Sequence, residues 1–372
     1  MIYLDYNATT PIDPAVLDAM LPYLREHFGN PSSGHAIGRT AREAVDRARV
    51  QVAALLGAAP TEIVFTSGGS EANTMAVLGS VHGGRGRHVV TSAVEHPAIL
   101  EPCRVLEGEG CAITRVAVDE QGRVDPADVT AAVRDDTALV TVMLANNEVG
   151  TLQPVADIAA SVNARVHTDA AQAVGKVPVD VHALGVDLLT VAGHKLYAPK
   201  GVGALYVREG LELPALIHGA AHEGGRRAGT ENVAGLVGLG AACALAAAHL
   251  EEEVARERTL RERLWTTLSE ALPDTWRHGD PDACLPNTLS VAFPGVLAGE
   301  VLASLGDQVA ASAGAACHAE GVTISTVLEA MRVPHDLALG TVRLSLGRPT
   351  TAAEVDEAAT RLVAAVRAAR AA

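Results

Sequence analysis

Apolar positions change period along the chain. Ala44, Ala48, Val52 and Leu55 recur at helical spacing among Arg and Glu, and the apolar run Glu62–Thr66 (EIVFT) follows. That order predicts an amphipathic helix leading into a buried strand. Further Val-rich runs follow at His88–Thr91, Ala112–Val118, Ala138–Leu144, Arg165–Thr168, Leu188–Ala192 and Gly203–Val207. Most are separated by a helix-length segment, so the first 210 residues predict one large, mostly parallel α/β sheet of seven strands.

The pattern changes near Leu236, where a long helix is predicted to run to about Leu272. Glu252/Arg256 and Glu257/Arg261 stand at the favourable four-residue spacing, which predicts a solvated face. Thr288–Phe293 and Thr341–Leu346 alternate like half-buried strands, and 352–371 reads as a closing amphipathic helix. The expected division is a large domain over residues 13–250 and a small α+β domain over 1–12 and 251–372. The longest uncharged apolar run, Val233–Ala248, spans 16 residues, short for a bilayer, and predicts a buried helix.

A chain of 372 residues with 48% hydrophobic and 20% charged residues is globular, which excludes both a disulfide-stapled module and wholesale disorder. The net charge of −15 disfavours a nucleic-acid partner. Five cysteines, an odd number without a Cys-x-x-Cys pair, point to a reducing compartment rather than a disulfide framework or zinc knuckle. The opening MIYLDYNATT lacks the basic and apolar regions of a signal peptide, so a cytoplasmic location without membrane association is expected. The 14 histidines show no metal-ligand spacing.

Three elements carry chemistry. In FTSGGSEAN a strand runs through Ser67, Gly68, Gly69 and Ser70 into a helical pattern, which suits either an anion cradle or a capping box. Asp169 stands at the carboxyl end of a predicted strand, where open α/β sheets bind ligands. Lys195 follows another apolar strand and His194, among small residues that can depress an amine pKa and favour imine formation. Together they supply what pyridoxal phosphate needs: a phosphate cradle, a carboxylate for the pyridine nitrogen and a lysine for the aldehyde.

The ordered segments LDYNATTP, FTSGGSEAN, EHPAIL, ANNEVGT, HTDAAQAVGK, GHKLYAPKGVGALYV, RRAGTENV and RLSLG, spread from residue 3 to about 358, resemble the cysteine desulfurase and selenocysteine lyase family. These are class V, fold type I, pyridoxal phosphate enzymes. The resemblance implies that Lys195 is the Schiff-base lysine, Asp169 the partner of the pyridine nitrogen and Gln172 the donor to the phenolic oxygen. It implies that His96 stacks on the ring and moves protons, that Gly69, Ser70 and His194 hold the phosphate, and that Thr230 reaches the phosphate of a neighbouring subunit in a homodimer. Asn147, chosen over the adjacent Asn146, and Arg343 would bind the substrate carboxylate. Ala192 departs from the Ser usual in the family.

Cys317, in the small-residue stretch SAGAACHAEGVTIS, stands at the family's catalytic cysteine. The resemblance implies that L-cysteine is converted to L-alanine, with sulfur held as a Cys317 persulfide and passed to an iron-sulfur scaffold or another acceptor. Cys103, Cys111, Cys243 and Cys284 fall in apolar contexts and are expected to be structural. The run Ala313-Gly314-Ala315-Ala316-Cys317-His318-Ala319 departs from the usual desulfurase pattern and resembles the selenocysteine lyase branch. L-selenocysteine is therefore the alternative substrate, with His318 a neighbour able to lower the thiol pKa. A class V aminotransferase or kynureninase-like hydrolase, and a cofactor-less scaffold, are the more distant alternatives.

Overall fold

Val-, Leu- and Ala-rich runs with no polar alternation form strands only when both faces are covered. The computed structural model, which describes residues 1–84, 86–318 and 321–371, realises that arrangement. After a short β1 (Ile2–Tyr3) come β2 (Ile63–Thr66), β3 (His88–Ser92), β4 (Ala112–Val116), β5 (Thr137–Thr141), β6 (Val166–Asp169), β7 (Leu188–Ala192) and β8 (Gly203–Val207). Strands β2 to β8 make one seven-stranded sheet in the order β2-β8-β7-β6-β5-β3-β4. All neighbours are parallel except β8, which is antiparallel to both β2 and β7. This is the expected α/β sheet; β7 and β8 have their expected bounds, and the other five strands differ at one or both ends by one to three residues.

Helices α1 (Pro14–Arg25), α2 (Ala36–Leu56), α3 (Gly69–His82) and α4 (Pro97–Gly108) precede the long helix Val233–Ala271. Gly57, at a left-handed φ of 68°, ends α2. The apolar half of the long helix packs on α1 and α2, and Leu239, Ala242 and Cys243 are buried there. That stretch is apolar enough to cross a membrane by composition alone, and half of it is buried within the chain.

The C-terminal third adds β9 (Trp276–His278), β10 (Thr288–Ala292), β11 (Val309–Ala310), β12 (Ser312–Ala313), β13 (Ala315–His318), β14 (Gly321–Ile324) and β15 (Thr341–Ser345). Four form a sheet in the order β12-β15-β10-β9, and β13 pairs with β14 as a hairpin. A separate apolar core joins Leu4, Leu264, Leu268, Val291, Phe293, Leu344 and Leu362. The N-terminal strand β1 pairs in parallel with β11, which carries residues 4–10 across to the large sheet.

The solvated face expected around Glu257 and Arg261 does not exist. Both residues are buried, because this part of the helix packs beneath the C-terminal sheet. Arg261 donates to the Leu285 carbonyl, and Arg256 to the carbonyls of Gly347, Arg348 and Thr350 rather than to Glu252.

Candidate active site

The carboxyl ends of β6 and β7, the start of α3 and the N-terminal segment enclose a cavity of about 320 Å³. Its lining includes Gly69, Ser70, His96, Asn147, Asp169, Gln172, His194, Lys195 and Arg343. Residues from Asn7 to Arg343 are thus brought to one site. Thr230 is not among them: it lies exposed and lines a neighbouring cavity of about 220 Å³ with Ser67, Gly201 and Arg227.

Lys195 sits in the turn after β7, and its Nζ donates to the carbonyls of Asn7 and Ala8. Burial, followed by the Arg343 guanidinium, lowers its pKa from 10.5 to about 8. The amine is therefore accessible in its nucleophilic form near neutral pH. Asp169 Oδ2 accepts from Asn73 Nδ2 at 2.6 Å, and Oδ1 from the Ala171 amide at 2.9 Å. These donors fix the carboxylate at the strand end, while the buried Oδ1 of Asn73 has no partner among the described residues.

His96 caps α4: its Nδ1 accepts from the Ala98 amide at 3.1 Å. The helix-start and cavity-lining roles thus coincide in one residue. Burial lowers its pKa, so the imidazole is neutral with its proton on Nε2. Glu95, which precedes it, is buried and held by Ser92 Oγ and the Met143 amide. Burial raises its pKa to about 8.

At the cradle, the capping-box alternative does not hold. Gly68 stands at the N-cap of α3 with no side chain bonded to the helix start. Glu71 instead turns back to the Ser67 amide and pairs with Arg227. A Cβ on Gly69 would come within 3.2 Å of the Ala192 Cβ, so helix start and strand end are in close approach. His194 Nδ1 lies 3.2 Å from Thr9 Oγ1, and burial lowers its pKa to about 4, which leaves a neutral ring. The open first turn, Ser70 and His194 fit a phosphate, Asp169 fits a protonated ring nitrogen and Lys195 fits an aldehyde, so the residues suit pyridoxal phosphate.

The neighbouring asparagines have separate tasks. Asn146 is fully buried, and its Oδ1 accepts from the amides of Glu148 and Val149 to build the turn. Asn147 lines the cavity, and its carbonyl accepts from Arg343 Nη1 at 3.0 Å. Arg343 also donates to Asp5 Oδ1 at 2.7 Å and Ser312 Oγ at 2.9 Å, and its buried Nε has no partner among the described residues.

A second cavity of about 540 Å³ shares Asn147 and Arg343 with the first and runs to Gly314, Thr323 and Ser325. It reaches the base of the β13–β14 hairpin. Cys317 pairs with Val322 in that hairpin. The side chains of Cys317 and His318 lie outside the described residues. Ser325 Oγ bonds Glu148 Oε2, and the Ser325 amide donates to the Gly314 carbonyl, which ties the hairpin base to the Asn147 turn. The other four cysteines are buried, and burial pushes the thiols of Cys103 and Cys243 up to about 12.

Sequence reasoning missed Asn7 and Asn73. Both stand in quoted segments, LDYNATTP and FTSGGSEAN, but neither shows locally what it will touch.

Known proteins share this architecture. A model of the family described as aminotransferase class-V matches residues 2–358. A protein named cysteine desulfurase IscS from Dictyoglomus turgidum is 45% identical over 356 residues, covering 94% of this chain and 90% of its own. A solved structure titled as a NifS-like protein superposes with a TM-score of 0.93 at 36% identity, covering 98% of this chain and 99% of its own. Another, titled SspA in complex with cysteine, gives 0.82 at 36% identity, covering 93% and 99%. The match along nearly the whole chain, with an imine-competent lysine and a strand-end aspartate at one cavity, means that the chain belongs to the aminotransferase class-V family of pyridoxal phosphate-dependent enzymes.

Proposed function

We propose that this protein is a cysteine desulfurase that converts L-cysteine to L-alanine and carries the sulfur on Cys317. The observation that carries the reading is one cavity joining Lys195 and Asp169 to Arg343 and Asn147, next to a second cavity that leads to the Cys317 hairpin. The relative titled in complex with cysteine, and the desulfurases of similar sequence, support it.

Pyridoxal phosphate, when bound, supplies an electron sink that loosens the bonds of the substrate amino acid. The chain's own residues do the rest. Lys195 anchors the group and, with its lowered pKa, exchanges protons at the substrate α-carbon. Asp169 would hold the ring nitrogen protonated, and the Asn73 and Ala171 donors keep that carboxylate aimed. Gln172 would donate to the ring oxygen, while Gly69, Ser70 and His194 would hold the phosphate. His96, with Nδ1 engaged by the helix, would stack on the ring and donate from Nε2. Arg343 and Asn147 orient the carboxylate, with Asp5 and Ser312 holding the guanidinium.

The Cys317 thiolate attacks the substrate sulfur, so a sulfur–sulfur bond forms as the carbon–sulfur bond breaks. The released electron pair takes up a proton on the way to alanine. The persulfide then passes to a protein acceptor such as an iron-sulfur scaffold. A cytoplasmic homodimer, in which the exposed Thr230 reaches a neighbour's phosphate, belongs to the same reading. The test is alanine and sulfide release from L-cysteine by the loaded protein: Cys317→Ala should keep the visible cofactor colour and lose turnover.

A further inference from the structure

Lys176 is buried four residues after Gln172, beyond a tight turn in which Gly175 adopts a φ of +78°. Its Nζ donates to Gln172 Oε1 at 2.8 Å and to Asn7 Oδ1 at 3.4 Å. In its protonated form the amine has donors and no acceptor, which sets the Gln172 atom facing it as the oxygen. On the other side, Gln172 Nε2 donates to the Asn7 carbonyl at 2.9 Å, the same oxygen that accepts from Lys195. The amide is thus constrained from both sides, and Nε2 keeps a second hydrogen. Asn7 is fixed by the same logic: Lys176 and Asn287 donate to its Oδ1, while its Nδ2 donates to the Asn147 carbonyl and Thr288 Oγ1.

Burying a cation is costly without an opposing charge. Glu257, buried on the long helix, supplies it, while Lys195 and Arg343 oppose the charge. Burial pushes Lys176 down to about 7 and Glu257 up to about 7, and their mutual attraction works against both shifts. This accounts for an acid in the interior where the sequence pattern called for a surface ion pair.

We propose that Lys176 is a positioning residue that holds the Gln172 amide with its NH₂ toward the cofactor cavity and its oxygen turned away. The inference rests on the proposed cofactor-dependent function and deepens it. A donor at the ring oxygen spreads the negative charge that otherwise helps hold a proton on the lysine–cofactor nitrogen. Losing the donor therefore makes that proton harder to remove.

The test is a pH titration of the visible band of protein loaded with pyridoxal phosphate. The set is the unaltered chain, Lys176→Met, Gln172→Ala and the double variant. Lys176→Met should raise the midpoint by about one pH unit, a tenfold change in proton affinity. In the Gln172→Ala background the same substitution should move it by less than about half as much, because its effect runs through the amide. An unchanged midpoint in Lys176→Met, or an equal shift in both backgrounds, overturns the positioning role. Should Lys176→Met fail to fold with Glu257 left unpaired, Lys176→Met/Glu257→Leu removes both charges and carries the same comparison. Absence of the band in the unaltered chain overturns the functional reading itself; a normal band with no Lys176 effect overturns the inference alone.

Discussion

Replacing Lys195 by Met should stabilise the cofactor-free protein near neutral pH while abolishing its chemistry. The ammonium sits in a partly enclosed cavity facing Arg343, which lowers its pKa from 10.5 to about 8. At about 1.4 kcal/mol per tenfold in proton affinity, holding the charge at pH 7 costs the fold roughly 3 kcal/mol, cut to roughly 2 by solvent reaching the site. The lost hydrogen bonds offset little: the Asn7 carbonyl keeps its bond from Gln172, and Ala8 is exposed, so water replaces the other donor. A net gain of about 1–2 kcal/mol remains. Between pH 8 and 10.5 the unfolded chain holds more protons at this position than the folded one, so the native protein gains stability as pH rises and the gap closes. Urea denaturation of both cofactor-stripped proteins at pH 7 and pH 10 measures it. A variant less stable at pH 7, or a gap that does not narrow with pH, refutes the reasoning.

Other consequences follow from single contacts. Asn146→Ala should lose about 1–3 kcal/mol in chemical denaturation because two amides lose a buried acceptor. Asn147→Ala should instead raise the KM for cysteine and leave the denaturation midpoint nearly unchanged. Gly203→Ala places a Cβ 2.6 Å from the Val191 carbonyl and 2.8 Å from Gly68 Cα, so it should cost about 1–3 kcal/mol and loosen cofactor binding measured by fluorescence titration. Arg343→Lys keeps the charge but loses the planar fork shared among Asn147, Asp5 and Ser312, and should lower kcat/KM at least about tenfold with the cofactor spectrum retained.

Much of the fold was legible because β2 to β8 lie in apolar runs bounded by turn residues, and Leu188–Ala192 and Gly203–Val207 fall at their expected bounds. The strand-end rule also located Asp169, and the small residues around Lys195 pointed to an unusual lysine. What stayed hidden depends on distant partners. Asn7 acts through residues 140 to 281 positions away, and no local pattern encodes that. Glu257 and Arg261 satisfied a surface spacing rule, yet the fold covers that helix face and supplies Lys176 and the Leu285 carbonyl instead. The choice between Asn146 and Asn147 turns on which side chain the loop uses to close itself, a matter of backbone geometry. Thr230 stands apart from Lys195 and Asp169 within one chain, in a neighbouring cavity that it shares with Ser67.

The most direct test of the central claim is product analysis of the pyridoxal phosphate-loaded protein with L-cysteine and a reductant. Alanine and sulfide are quantified, with L-selenocysteine run alongside without oxygen. The account predicts equal amounts of alanine and sulfide from cysteine, abolished in Cys317→Ala while the visible band persists. Alanine from selenocysteine alone, or undiminished cysteine turnover in Cys317→Ala, would contradict it.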